Sequence, residues 1–276
     1  MVGERGGAVR RGASTALLVA VAILWVGPYL WMALTSFKTL PEIVANPTAP
    51  LPQSLALGAY REVFQQVPVL RYFVNTVVMS VLIAVLQILL ALPAGYALAK
   101  LRFVGRGWAL GLVLACLLVP AQVTFVPAFT MLGKLGLVNT MGALVLPFGV
   151  SALGTFLVRQ ALSSVPDEMI EAARMDGASE LYIVYGLLAP ILRPTLASLF
   201  LFSFVFHYND YFWPLIMTTD DEVRTLPLAI ALLREQGTGV RWHVVMAGNV
   251  LLSIPVLALF AATQRQILRA VSARAL

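Results

Sequence analysis

Six long apolar stretches of this chain carry no Asp, Glu, Lys or Arg: residues 12–37, 72–99, 107–133, 135–158, 194–209 and 242–264. A bilayer crossing by an α-helix needs roughly 20 apolar residues, and five of the six stretches are long enough. The stretch that starts at Pro194 reaches Met217 only if Asp210 is accepted inside it. Charged residues are 12% of the chain, about half the share of a soluble domain, so a water-facing surface is excluded for most of it. The expected architecture is an all-α membrane protein, a single transmembrane domain over residues 1–276 with six crossings. The first stretch is nearly twice the length of a signal-peptide core, about 7–15 residues, and reads as a retained helix.

The net charge of +6 is better tested against membrane orientation than read as a nucleic-acid signal. With six crossings, twelve basic residues fall on one side: Arg5, Arg10, Arg11, Lys100, Arg102, Arg106, Arg159, Arg174, Arg193, Arg265, Arg269 and Arg274. Seven fall on the other: Lys38, Arg61, Arg71, Lys134, Arg224, Arg234 and Arg241. Basic loops stay cytoplasmic, which places both termini inside. Tyr72, Trp108, Trp213 and Trp242 sit at the ends of apolar stretches, where interfacial anchors are expected. The lone Cys116 forms no internal disulfide, and no metal-ligand spacing occurs anywhere.

Residues 38–71 make the long extracytoplasmic loop. Pro41, Pro47, Pro50 and Pro52 argue against a regular helix in its first half, and a short helix is expected over residues 57–67, ending at Pro68. The "GWALG" at Gly107 matches a small-residue helix-packing motif.

The acids are concentrated. Asp167, Glu168, Glu171, Asp176 and Glu180 are five of the chain's 13, all in the segment "SSVPDEMIEAARMDGASE". Ser164 and Asp167 fit a capping box, Pro166 suits a first helical turn, and Gly177 suits a helix end. Residues 165–176 therefore read as one helix, too short and too charged to span a bilayer. Met169, Ala172 and Ala173 form a small apolar stripe at helical spacing, flanked by Glu171 and Arg174. Such a helix can lie on lipid, act as a packed linker, or seat in a groove of another protein. Lipid-surface helices carry Lys and Arg on their polar face; this one is acidic, which favours a protein partner.

The segment resembles the EAA loop of permease subunits of ATP-binding-cassette importers: Glu-Ala-Ala, three residues, Gly, nine residues, then Ile-x-Leu-Pro. Here Glu171, Ala172 and Ala173 are followed by Gly177 and by Leu187, Leu188, Ala189 and Pro190; Leu187 and Ala189 depart from the pattern. "SFKT" at Ser36, "YFVNT" at Tyr72, "NDYFWPL" at Asn209 and "TLPLAI" at Thr225 resemble the carbohydrate branch of the maltose-transporter type. The resemblance implies the type I importer permease fold, six transmembrane helices with a cytoplasmic coupling helix at residues 164–177, in the inner membrane. It implies a second permease subunit, a cytoplasmic ATPase dimer and an extracytoplasmic solute-binding protein as partners, with lipid around the bundle and no nucleic acid. Glu171 is the position expected to pair with a basic residue of the ATPase, with Met169, Ala172, Ala173, Arg174, Asp176 and Gly177 completing the coupling site. ATP and Mg belong to that partner. This chain has no G-x-x-x-x-G-K-[ST] phosphate loop, so it is expected to bind no cofactor and not to be an enzyme.

Asp210, with His207 and Asn209, is an ionisable group at expected membrane depth and a candidate for the pathway or an outer gate; the alternative is that it caps helix ends. The basic C-terminal tail reads as a positive-inside anchor or an ATPase contact. A self-contained secondary transporter or channel is the competing class; inverted repeats would mark one, and none is found.

Overall fold

The computed structural model describes residues 2–235 and 241–272, with side chains over 14–120, 122–233 and 241–264. The tail at 273–276 and the side chains of Arg5, Arg10, Arg11, Arg234, Arg265, Arg269 and Arg274 lie outside the described residues. Every described element is helical, as expected.

The chain divides into two compact units, Met1–Val69 with Ile230–Ile254 and Leu70–Ala229 with Pro255–Leu276. The first contains α1 (Val2–Thr35), α2 (Leu40–Ala45) and α3 (Gly58–Gln66). Helix α2 corrects the expectation of an irregular loop: Pro41 occupies the first helical turn, where its missing N–H costs nothing. Helix α3 forms where expected and stops before Pro68. The loop folds back through the Ser36 and Tyr60 hydroxyls, 2.8 Å apart, and through Lys38, buried beside the Trp31 ring and donating to the Ala49 carbonyl. Glu62 accepts from Arg241 and from Gln66 (2.9 Å).

The second unit is organised around α4 (Val69–Lys100), 32 residues long and thus about 48 Å at roughly 1.5 Å per residue. After it come α5 (Arg106–Cys116), α6 (Phe125–Lys134), α7 (Met141–Val145), α8 (Ala152–Leu162) and α9 (Asp167–Met175). Then follow α10 (Glu180–Tyr182), a wide-turned π-helical stretch at Ile183–Leu188, α11 (Ala189–Ile191), α12 (Arg193–Tyr208) and α13 (Phe212–Met217). Two helices, α14 (Leu226–Glu235) and α15 (Trp242–Ser272), run from one unit's sequence into the other's.

Among the described residues, three to five of the six expected crossings are found. Three helical segments are long and apolar enough on their own, Ser14–Thr35, Val69–Lys100 and Trp242–Gln264. Two bent pairs bring the number to five: Met141–Phe148 with Ala152–Leu162, at 43°, and Glu180–Ile191 with Arg193–Tyr208, at 85°. The third expected crossing is split because α5 ends at Cys116 and Pro120 is extended (φ −62°, ψ 131°), as a residue without an N–H that also restricts its predecessor dictates. The fifth breaks at 209–211, where Asp210 stands between α12 and α13.

Two packed clusters fix the second unit. One joins Ala91, Leu92 and Tyr96 of α4 to Val158 and Leu162 of α8, Ile170 of α9 and Leu199 of α12. The other joins Met79 and Ile83 of α4 to Leu132, Leu144, Trp213 and Met217. The close helix approach is at Gly95, where an added Cβ would stand 2.6 Å from Val158 Cγ1 and 2.9 Å from the Arg159 backbone nitrogen. Gly107 and Gly111 face open space instead, so neither glycine of the "GWALG" motif makes a close helix approach among the described residues. Trp213 and Tyr72 are core residues rather than interfacial anchors. Trp213 tolerates burial because its Nε1–H donates to the Ala143 carbonyl (2.9 Å). Trp108 is 87% exposed, as an anchor would be.

Candidate functional site

Helix α9 is shorter than expected and is started differently. Its N-cap is Pro166, with no side-chain cap. The capping box does not form, because the Ser164 hydroxyl donates back to the Ala161 carbonyl at the end of α8 (2.8 Å). The segment entering the helix is held from α4 instead: Lys100 Nζ donates to Asp167 Oδ1 (2.6 Å) and to the Val165 carbonyl. Lys100 holds the Asp167 carboxyl below its ordinary range. Asp167 and Glu168 also stand in the first turn, where the helix dipole favours negative charge.

The far end closes as the sequence predicts. Gly177 has φ +81°. Its N–H reaches the Arg174 carbonyl and the Ala178 N–H reaches the Ala173 carbonyl, both at 3.0 Å, the paired bonds of a Schellman ending. No atom lies within 4 Å of a Cβ built there, so the glycine is required by backbone conformation, not by crowding.

The expected stripe of Met169, Ala172 and Ala173 is divided. Ile170 is buried and Ala173 packs against the same cluster, so these two form the inward face. Glu168, Glu171, Ala172 and Asp176 are exposed, with Met169 at 39% and Met175 at 87%. Sequence spacing alone assigns the stripe a face but not a direction, and it overlooked Ile170 and Met175.

Arg174 turns back to the chain itself. Its Nε donates to Glu180 Oε1 (2.8 Å) and its Nη2 to the Tyr96 hydroxyl (2.9 Å). Tyr96 in turn donates to Glu180 Oε2 (2.6 Å). Glu180 raises the Arg174 pKa further by accepting its bond. Just beyond, the Tyr185 hydroxyl donates to the Leu89 carbonyl of α4 (2.8 Å). Tyr96 and Lys100, spaced i and i+4 on one face of α4, thus hold the two ends of α9. Sequence reading missed both; their shared face at the end of a long apolar helix was the available signal.

The other three candidates are not brought together. Asp210 Oδ1 accepts from the backbone N–H groups of Phe212 (3.0 Å) and Trp213 (3.3 Å), which is the helix-capping alternative. Asn209 Nδ2 donates to the Val205 carbonyl on its own helix (2.8 Å). His207 is buried against the Phe148 ring, 4.9 Å between centroids, and lies 3.5 Å from Gln87 Nε2.

At the N-terminal end of α4 the "YFVNT" and "TLPLAI" motifs meet. Asn75 Nδ2 donates to the Glu222 (2.8 Å) and Arg224 (3.0 Å) carbonyls, and Thr76 Oγ1 accepts from the Leu226 N–H (2.8 Å). Asn139, at φ +64°, accepts from the Thr219 N–H (2.9 Å).

Residues 87–273 match the family described as binding-protein-dependent transport system inner membrane component. The chain is 32% identical to the arabinooligosaccharides transport system permease protein AraQ of Halalkalibacterium halodurans, over 89% of this chain and 88% of that one. It is 30% identical to the lactose transport system permease protein LacG of Rhizobium radiobacter, over 91% and 90%. Against the sn-glycerol-3-phosphate transport system permease protein UgpE of Yersinia enterocolitica the identity is 32%, over 71% and 70%. The fold is similar to a chain of a bacterial ABC transporter involved in the import of alginate: TM-score 0.82, 22% identity, over 95% of this chain and 97% of that chain. A chain of the MetNI methionine ABC transporter gives a TM-score of 0.56 at 21% identity, over 74% and 95%.

Proposed function

We propose, from the premise that the chain belongs to the binding-protein-dependent transport system inner membrane component family, that it is the permease subunit of an ATP-driven importer of a sugar or oligosaccharide. Relatives named for arabinooligosaccharide and lactose transport support the substrate class. It is a multi-pass membrane protein. Both termini face the cytoplasm, an orientation supported by the twelve-to-seven division of basic residues.

The observation that carries the coupling reading is the division of labour on α9. One face is anchored by Ile170, Ala173 and the Arg174–Glu180 pair. The opposite face offers Glu171, Ala172 and Met175 to solvent. Small and flexible apolar groups beside one acid suit a groove with an apolar floor and a basic rim. In this reading Glu171 pairs with a basic residue of a separate ATPase, and Met169, Ala172 and Met175 fill its cleft. Arg174 and Gly177 keep α9 in position, and Asp176 is its C-cap. ATP and Mg bind the ATPase. A second permease completes the pathway, and a solute-binding protein delivers the sugar.

The test is co-purification in mild detergent. A stoichiometric ATPase is expected with the native chain, and its loss with Glu171→Lys. Removing one partner of a buried ion pair costs about 3–5 kcal/mol, enough to weaken docking by more than a hundredfold. Sugar movement through liposomes containing this chain alone, without ATP, would overturn the reading. ATPase stimulation across a panel of sugar-loaded binding proteins identifies the cargo.

A further inference from the structure

Helix α4 touches α9 and the segment that follows it at three levels. Lys100 holds the start of α9. Tyr96 sits between Arg174 and Glu180 at its end. The third contact is the Tyr185 hydroxyl on the Leu89 carbonyl, and its position is informative. Pro93 lies inside α4 and has no N–H to give the carbonyl four residues before it, which is Leu89. An unpaired carbonyl of this kind is where a helix bends. Tyr185, from the segment that directly follows α9 and α10, supplies the missing donor.

The opposite end of α4 holds a different segment. Asn75 and Thr76 secure residues 222–226 by three hydrogen bonds to their backbone. Thr76 and Tyr96 are 20 positions apart in one continuous helix, about 30 Å at roughly 1.5 Å per residue. The covalent route out of α9 is the compliant one. It passes through the π-helical stretch Ile183–Leu188 and then an 85° bend before α12, so it is broken twice where α4 is continuous; π-turns of this type recur at functional sites.

Resting on the coupling reading above, we infer that α4 is the transmission rod of this permease. Tyr96, Lys100 and Tyr185 couple it to α9, and Asn75 and Thr76 couple its far end to residues 222–226. A displacement of α9 is delivered along α4 to that far segment. Tyr96, Lys100, Tyr185, Asn75 and Thr76 are positioning residues; none of them lies on the exposed face of α9.

The test uses the complete complex in liposomes and reads the stimulation of ATP hydrolysis by substrate-loaded binding protein. Tyr96→Phe keeps the ring in its cluster and removes only the hydroxyl. A hydrogen bond to a charged group contributes about 1.5–3 kcal/mol, so stimulation is expected to drop about tenfold while the ATPase still co-purifies at native stoichiometry. Asn75→Ala is expected to lower it about fivefold. The two act in series, so the double variant loses no more than the larger single loss, whereas independent structural damage multiplies. Tyr185→Phe is a second route, with a drop of about threefold. Native stimulation in both Tyr variants, or multiplied losses in the double variant, overturns the rod while leaving the docking reading intact. If the native chain captures no ATPase, both fall together.

Discussion

The two ends of α4 hold their neighbours by different chemistry. At the C-terminal end charged side chains take part: Lys100 bonds Asp167 and the Val165 carbonyl, and Arg174 bonds Glu180 and Tyr96. At the N-terminal end Asn75 and Thr76 are neutral and bond backbone groups of 222–226. The first grip reads side-chain identity and responds to proton concentration. The second takes backbone groups, so the exposed Glu222 side chain is free to vary, while Thr225 and Leu226 are buried.

The comparison is broken most severely by Gly95→Val. The new side chain would overlap Val158 and the Arg159 backbone, and overpacking of this kind costs about 1–3 kcal/mol. A lowered melting temperature in detergent is expected, with protease sensitivity rising around α9 and not around 222–226. Gly177→Val follows. A β-branched residue at φ +81° costs about 1–3 kcal/mol, and transport is expected to uncouple from ATP hydrolysis. Gly177→Asn retains function because Asn tolerates the left-handed region.

Asn75→Ala removes two bonds from carbonyls that are partly open to water, a loss of about 1 kcal/mol, seen as faster amide exchange in residues 222–226. Acid tests the Lys100 grip directly. The Asp167 pKa is lowered in the folded chain by Lys100. Its contribution is therefore complete above the ordinary carboxylate range and lost as pH falls through the depressed folded value. Amide exchange at the start of α9 is expected to quicken on acidification, and Asp167→Asn abolishes this pH dependence. The smallest effect is expected for Glu222→Ala, within about 0.5 kcal/mol, since Asn75 contacts its carbonyl and not its side chain.

Much of the fold was legible because bilayer chemistry writes itself into run lengths. The long crossings at 72–99 and 242–264 and the helix end at Gly177 followed from composition and from one residue's backbone freedom. What failed was punctuation. Pro120 split a stretch that contained no charge, since hydropathy is blind to a missing N–H. The capping box at Ser164 failed because a nearer acceptor, the Ala161 carbonyl, took the hydroxyl. At the site, the segment was visible from its acids and spacing. The face that turns inward was not, because the cluster that receives Ile170 is built in part from α4 and α12, elements distant in sequence. The partners of Tyr96 and Lys100 were hidden for the same reason, although their shared face on α4 was legible.

The π-helical stretch at Ile183–Leu188 inserts one residue beyond an ordinary helical register, and that surplus sets the azimuth of everything before it. Deleting Gly186 would restore regular winding and swing Glu180 by about 100° around the axis, away from Tyr96. Length at this point in the chain is an angular setting, and a shortened relative would have to find its counter-ion for Arg174 on another side of the bundle.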